Sequence, residues 1–196
     1  MSGLPGGRGE TYAEGMNETP TPSSGPGPAQ RRRIVSSRHL ADGDGWEASE
    51  FEFGLIVAGN AFTRWTLKCM AAAGAPDLGP LDILVLHNVN HRERDKRLVD
   101  IAFLLGIEDA HTVNYALKKL SKAKLIEAEK RGKEMFYRTS KAGADLCGRY
   151  RDVRRQCLLE MMGHSDLKGE ELQSIAAALR AMSGIYDQAA RAAASL

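Results

Sequence analysis

Residues 96–143, KRLVDIAFLLGIEDAHTVNYALKKLSKAKLIEAEKRGKEMFYRTSKAG, decide the fold. They read as a short helix, a turn, a second helix and a tight two-stranded ribbon. The first helix runs from about Val99 to Leu105, with Leu98, Ile101, Ala102 and Leu105 apolar. Gly106 ends it, because glycine takes the positive φ of a helix C-terminus without strain. Glu108 or Asp109 is placed to cap the second helix, which runs to about Ala123. That helix buries Val113, Leu117 and Leu120, at i, i+4 and i+7. Its other face carries His111, Thr112, Asn114, Tyr115, Lys118, Lys119 and Lys122.

In the ribbon, Ile126, Ala128 and Lys130 alternate with Glu127 and Glu129, and the return strand is Met135 to Thr139. Arg131-Gly132 is short enough to serve as a two-residue hairpin loop. An isolated hairpin is marginal in water. It must therefore pack on the two helices, which makes the unit a winged helix-turn-helix.

Charge singles out the same stretch. Residues 108–141 hold nine Lys or Arg and five Asp or Glu, a net +4, whereas the whole chain is only +2. A local basic patch on a near-neutral chain is the footprint of a small DNA-binding element.

Upstream, Pro80 suits the first turn of a helix reaching about Asn90, with Leu81, Leu84, Val85 and Asn88 on its inner face. The HRERDKR that follows reads as an exposed charged turn. Further back, Phe51, Leu55, Ala58, Phe62, Trp65, Cys69 and Ala72 recur by alternating steps of four and three. Such a period near 3.5 builds a seam that meets another helix. Downstream, Ser140 caps a helix from Lys141 to about Met162, with a stripe of Leu146, Tyr150, Val153, Cys157 or Leu158, and Met161. A last helix, about Gly169 to Ala193, repeats the seam spacing through Leu172, Ile175, Leu179, Met182, Tyr186, Ala189 and Leu196.

The expected fold class is thus mainly α with a small β-hairpin wing (α+β). Residues 80–143 form the winged helix-turn-helix. Dimerisation helices over 46–75 and 145–196 flank it. Residues 1–45, rich in Gly, Pro, Ser and Thr, form a disordered tail. Arg31, Arg32, Arg33 and Arg38 at its end are either an arm for phosphates or the minor groove, or a solvated linker.

The totals agree. A chain of 196 residues that is 43% hydrophobic carries one domain with a core. Cys69, Cys147 and Cys157 are odd in number and lack C-x-x-C spacing, which argues against a disulfide scaffold or zinc ribbon and for a reducing compartment. No start resembles a signal peptide and no apolar run approaches a membrane span. The expected location is the cytoplasm, at the nucleoid through DNA.

With these elements in place, the sequence resembles the MarR family of bacterial transcription regulators over about residues 50–195. The residues that carry the likeness are Gly106-Ile107, Thr112-Val113-Asn114, Leu117, Lys119-Leu120 and Ala123 to Ile126. In the family these form the turn, the recognition helix and the lead-in to the wing. Arg138-Thr139-Ser140-Lys141-Ala142-Gly143 is similar to the family's R-L-T-x-x-G. More narrowly, the chain resembles a subgroup that regulates L,D-transpeptidase and envelope stress genes. Two features depart from the pattern. The family's wing tip carries D-x-R, whose Arg enters the minor groove; here Arg131-Gly132-Lys133 lacks the Asp and the wing is short. The N-terminal tail is also outside the family pattern.

The resemblance implies a homodimeric DNA-binding repressor or activator, with double-stranded DNA as partner and no cofactor. The helix from about Ala110 enters the major groove, whose width admits an α-helix. His111, Thr112, Asn114 and Tyr115 are the candidates for base edges, since Asn suits the paired acceptor and donor of adenine. Lys118, Lys119 and Lys122 are assigned to phosphates, and Arg131 and Lys133 to the backbone or minor groove. Two recognition helices roughly 34–36 Å apart would read a pseudo-palindromic operator. Members of the family often bind small aromatic or phenolic ligands between the dimer arm and the DNA-binding lobe. Phe62, Trp65, Leu86, His87 and Tyr150 either line such a pocket or are plain core.

Other chemistry is thinner. His87 and His91 stand at i, i+4, and His111 and His164 are further imidazoles, but no Glu follows His87 to make a zincin motif, so no metal is expected. Cys69 and Cys157 fall on apolar seams, where a thiol packs; a redox switch needs an exposed, activated thiolate. No phosphate loop, nucleophile elbow or paired carboxylates suggest an enzyme. The competing reading is a winged helix that binds proteins without reading DNA.

Overall fold

The computed structural model describes residues 45–91, 94–166 and 168–196, so the cluster Arg31, Arg32, Arg33 and Arg38 lies outside the described residues. The elements are α1 (Trp46–Ala72), α2 (Pro80–Asn90), β1 (Lys96–Arg97), α3 (Leu98–Leu105), α4 (Ala110–Lys122), β2 (Ile126–Arg131), β3 (Glu134–Thr139), α5 (Lys141–Arg154) and α6 (Gly169–Ala193). Gly54–Leu196 is one compact unit; the first turns of α1 belong to the unit before it.

The core joins the end of α1 to the helix-turn-helix and the wing. Cys69, Met70 and Ala73 meet Ile83, Val85, Leu86 and Val89 of α2, Ile101 of α3, Val113, Leu117 and Leu120 of α4, and Leu146 and Tyr150 of α5. The inner face of α2 therefore differs from the expected one. Leu84 is exposed, Asn88 is half-buried, and Ile83, Leu86 and Val89 do the packing. At the C-terminal end of α1 and in the turn that follows it, the buried face is Thr66, Cys69, Met70 and Ala73, whereas Ala72 is exposed. Both corrections are the same shift. Thr66, Cys69, Met70 and Ala73, like Asp82, Val85, Leu86 and Val89, keep the i, i+3, i+4, i+7 spacing of one buried stripe but lie one residue along from the expected stripe.

The sheet has three antiparallel strands in the order β1-β3-β2. The third strand, β1, falls in the stretch expected to be an exposed charged turn. It pairs Lys96 with Tyr137 and Arg97 with Phe136. Lys96 is only 2% exposed, and its ammonium donates to the main-chain carbonyl of Asn88. A cation at the C-terminal end of α2 offsets that helix's partial negative charge. Two residues are too few for an alternating pattern, which is why the strand is silent in the sequence.

The hairpin turns one residue later than expected. Arg131 pairs with Glu134, so the loop is Gly132-Lys133, with Gly132 at φ 63°. The turn leaving α3 is closed by Gly106 at φ 65°, with the Ile107 amide donating to the Ala102 carbonyl at 2.9 Å. The turn leaving α4 has the same bonds, Lys124 N–H to Ser121 and Leu125 N–H to Leu120. There the left-handed position, φ 58°, is held by Lys124 rather than a glycine.

After α5 the chain makes one π turn, Arg155–Leu159, before a last helical turn, Glu160–Gly163. A π turn inserts an extra residue into the helical repeat. Of the expected alternatives Cys157 and Leu158, Leu158 is therefore the one that turns inward and is half-buried. The next position moves from the expected Met161 to the half-buried Met162, while Cys157 and Met161 are exposed. Helix α6 has no buried residues; Ile175, Leu179 and Ile185 stand exposed, as do Leu55, Ile56, Val57 and Phe62 on α1.

Candidate nucleic-acid interface

Helix α4 is set by its cap and its floor. The Asp109 carboxylate accepts from the His111 amide at 2.9 Å. Thr112 folds its hydroxyl back onto the Asp109 carbonyl at 2.8 Å. Val113, Ala116, Leu117 and Leu120 are buried. At 100° per residue this floor leaves His111, Tyr115, Lys118 and Lys122 pointing directly outward. Tyr115 is 73% exposed. Asn114 lies on the flank toward the wing, where it shares two open grooves of about 300 and 410 Å³ with Met135 and Tyr137. Thr112 and Lys119 lie on the opposite flank.

The lysines of the helix divide. Lys118 and Lys122 are exposed and have no ion-pair or hydrogen-bond partner among the described residues. Lys119 turns inward. Its ammonium lies 2.6 Å from Asp82 Oδ2 and donates to the Asp77 carbonyl at 2.8 Å. The phosphate role expected of Lys119 does not match this placement.

The wing divides in the same way. Arg131 pairs with Asp95, pairs with Glu129 at 2.6 Å, and lies 4.9 Å from the centre of the Phe136 ring. Its guanidinium holds the Glu129 carboxyl below the usual range. Arg138 bonds Glu127, and Arg97 bridges Asp100 and Glu134. Arginine's planar fork suits carboxylates, and here it fixes the wing to itself and to α3. Arg131 is thus tied down rather than extended, while Lys133 occupies the loop. Lys118, Lys122, Lys124, Lys130, Lys133 and Lys141 are left exposed, with no side-chain partner among the described residues. Sequence reasoning missed Lys124 and Lys130 because it looked for a single helix face and one wing tip. The local excess of positive charge is their only signal.

A second feature lies behind the helix-turn-helix. A cavity of about 470 Å³ is lined by His87, Asn90, Cys147, Tyr150, Arg151 and Arg154, among others. His87 and Tyr150 meet edge to face, with centroids 4.4 Å apart. Burial pushes the His87 imidazole below its ordinary pKa, and its Nε2 is buried with no partner among the described residues. Of the five residues expected to line a pocket, His87 and Tyr150 do so. Leu86 is fully buried core, Trp65 packs against the core, and Phe62 is exposed on α1. Cys147 in this lining is raised to about 11 by burial, and Cys69 is raised by burial too. Neither is an activated thiolate. Among the described residues no group of three His, Cys, Asp or Glu stands close enough to hold a metal ion. No described helix is long and apolar enough to cross a membrane.

Residues 78–143 match the winged helix DNA-binding domain family. Over about two thirds to three quarters of the chain the fold is similar to solved structures. One is Staphylococcus aureus MarR in complex with salicylate and kanamycin, at 15% identity and a TM-score of 0.58, covering 72% of this chain and 93% of that one. Another is a MarR family regulator from Neisseria meningitidis, at 14% identity and 0.58, covering 73% and 95%. A third is a cysteine-to-serine variant of Escherichia coli MarR complexed with operator DNA, at 14% identity and 0.52, covering 66% and 93%. At such identities the likeness is one of fold. The chain has the winged-helix fold seen in MarR-type regulators.

Proposed function

We propose that the protein is a homodimeric, MarR-type transcription regulator that binds double-stranded DNA. One observation carries this reading. The outward face of α4, the turn after it, the wing and the first residue of α5 together hold six exposed lysines without side-chain partners among the described residues, while the nearby arginines are engaged by carboxylates. Mobile ammonium groups suit phosphate oxygens, which fix register without reading sequence. His111, Asn114 and Tyr115 read base edges in the major groove, with Thr112 at the helix start. Lys118, Lys122 and Lys133 meet the backbone. Dimerisation runs through the exposed apolar positions of α1 and α6. The narrower role, regulation of L,D-transpeptidase and envelope stress genes, is supported by the sequence resemblance.

A mobility-shift titration with promoter fragments over a salt series tests the reading. The expected result is tight binding whose logarithm falls linearly with the logarithm of salt, at about 0.9 per phosphate engaged. Binding to no fragment at any salt would sink it.

The cavity behind the domain is proposed as an effector site. An edge-to-face aromatic pair beside two arginines suits a small aromatic anion. Such a ligand alters DNA affinity only if it favours one spacing of the recognition helices over another. The competing reading, a protein-interaction module, draws on the exposed apolar face of α3, Val99, Phe103 and Leu104. It requires dimerisation without salt-dependent DNA binding.

A further inference from the structure

Lys119 stands out because its sequence and its surroundings point to different tasks. It is one of three lysines on a helix that reads as DNA-facing. Yet it reaches across to two other segments of the chain, the connection between α1 and α2 and the start of α2. Asp82 is the third residue of α2, and its side chain is 8% exposed. One oxygen, Oδ2, accepts both the Gly79 amide at 2.8 Å and the Lys119 ammonium at 2.6 Å. The same ammonium donates to the Asp77 carbonyl at 2.8 Å. Asp77 lies in the connection between α1 and α2, so the dimer arm's exit, the start of α2 and the recognition helix share one polar knot.

We propose that Lys119 and Asp82 form a clamp that fixes the rotation of α4 about its own axis, making Lys119 a positioning residue for base reading. This rests on the DNA-binding function proposed above. The physical reason is directionality. The floor of α4, Val113, Ala116, Leu117 and Leu120, is held by apolar contact, which is non-directional. An ion pair with two defined acceptors on the flank resists rotation in a way that the floor does not. Rotating α4 by a few degrees displaces Tyr115, Asn114 and His111 together, while Lys118 and Lys122 follow on flexible stems. Base contact suffers and phosphate contact does not.

A phosphate role for Lys119 conflicts with the same geometry. The ammonium would have to leave a buried carboxylate, and an uncompensated buried charge is strongly unfavourable. Asp82 also sits at the N-terminal end of α2, where a negative charge is favoured and its Oδ2 accepts from the Gly79 amide. The carboxylate stays put, and Lys119 stays with it.

The test compares two duplexes over a salt series. One is the sequence that the wild-type protein enriches from a random pool; the other is the same bases scrambled. The variants are Lys119→Met, which keeps the stem, Lys119→Arg, Asp82→Asn, the pair Lys119→Met with Asp82→Asn, and Lys118→Ala and Lys122→Ala. The clamp predicts that Lys119→Met lowers discrimination between the duplexes about tenfold, the scale of one misaligned base contact. It also predicts an unchanged salt slope. Asp82→Asn should do the same, the pair no more than either alone, and Lys119→Arg should restore discrimination. Lys118→Ala and Lys122→Ala should instead weaken both duplexes and lower the slope by about 0.9 each. Circular dichroism checks that each variant is folded, and if Asp82→Asn is not, Lys119→Met against Lys119→Arg decides. The clamp is overturned if Lys119→Met lowers the slope as Lys118→Ala does, or leaves discrimination intact. If the wild type enriches no sequence and shows no salt slope, the DNA-binding function fails first and takes the clamp with it.

Discussion

Single residues in this chain carry constraints that their types do not announce. Gly143 sits in the first turn of α5, directly against the turn between α4 and β2. A Cβ there would overlap the Leu125 carbonyl oxygen and lie 2.8 Å from Thr139 Cγ2. The same carbonyl accepts the Ser140 amide at 3.1 Å, so it has nowhere to go. Gly143→Ala should cost about 3 kcal/mol, the upper range for overpacking, read as a lower urea midpoint at unchanged slope. The family likeness marks this glycine; only the packing says why. Lys124 presents the opposite case. It holds a left-handed φ that glycine adopts freely. Lys124→Gly should raise stability by about 0.5–1 kcal/mol while lowering the salt slope of DNA binding, so stability and affinity move in opposite directions. His87 supplies a pH signature. Burial lowers its pKa from the ordinary 6.5, so the folded state favours the neutral ring and the unfolded chain takes up the proton first. Stability should therefore fall as pH drops through about 6.5 and level off below the folded value. His87→Phe should flatten that loss, measured by urea unfolding at pH 8 and pH 5.5. An unchanged difference between the two pH values would show that another group is responsible.

At the scale of elements, legibility tracked length and one-sided burial. Helix α2 runs from Pro80 to Asn90 and α4 begins at Ala110 after an Asp109 cap, all as their punctuation implies. The wing's two long strands were also legible. Strand β1 was not, because two residues flanked by charge carry no alternation and its lysine is buried by a helix end elsewhere in the chain. The π turn was invisible as well, since nothing in RQCLL distinguishes a five-residue from a four-residue repeat. Of the candidate site, the polar face of α4 was legible, but not which lysines turn inward, because that depends on Asp82, 37 residues away. On α3 the expected face, Leu98, Ile101, Ala102 and Leu105, is the one that meets the core, and Phe103, left off it, is 85% exposed beside Val99 and Leu104. Phe103→Ser should shift stability by no more than about 0.5 kcal/mol, as for a surface site. A loss of several kcal/mol in chemical unfolding would mean that this face is covered in solution.

At the scale of the molecule, the terminal helices α1 and α6 carry a further set of exposed apolar residues. Leu179, Met182 and Tyr186 of α6 border a groove of about 400 Å³ that also takes in Leu55 of α1. Ile175 and Ile185 continue the apolar side of α6 into solvent. In the proposed dimer this surface is covered by the second copy, which turns two modest DNA contacts into one bivalent contact. Two consequences can be measured on one preparation. Ile185→Glu should shift the protein from dimer to monomer in sedimentation velocity, while the winged domain keeps its helical circular dichroism, since Ile185 contributes nothing to the buried core. The same variant should lose most of its affinity for a full operator yet bind a half-site as the wild type does. The spacing of the halves supplies the sharper criterion. A dimer that holds its recognition helices one turn apart cannot follow a half-turn rotation of one half-site. Inserting about five base pairs between the halves should therefore reduce wild-type affinity to that of a single half-site. Affinity that survives the insertion would mean that the terminal helices do not fix the two winged domains relative to each other, and that the copies bind DNA independently.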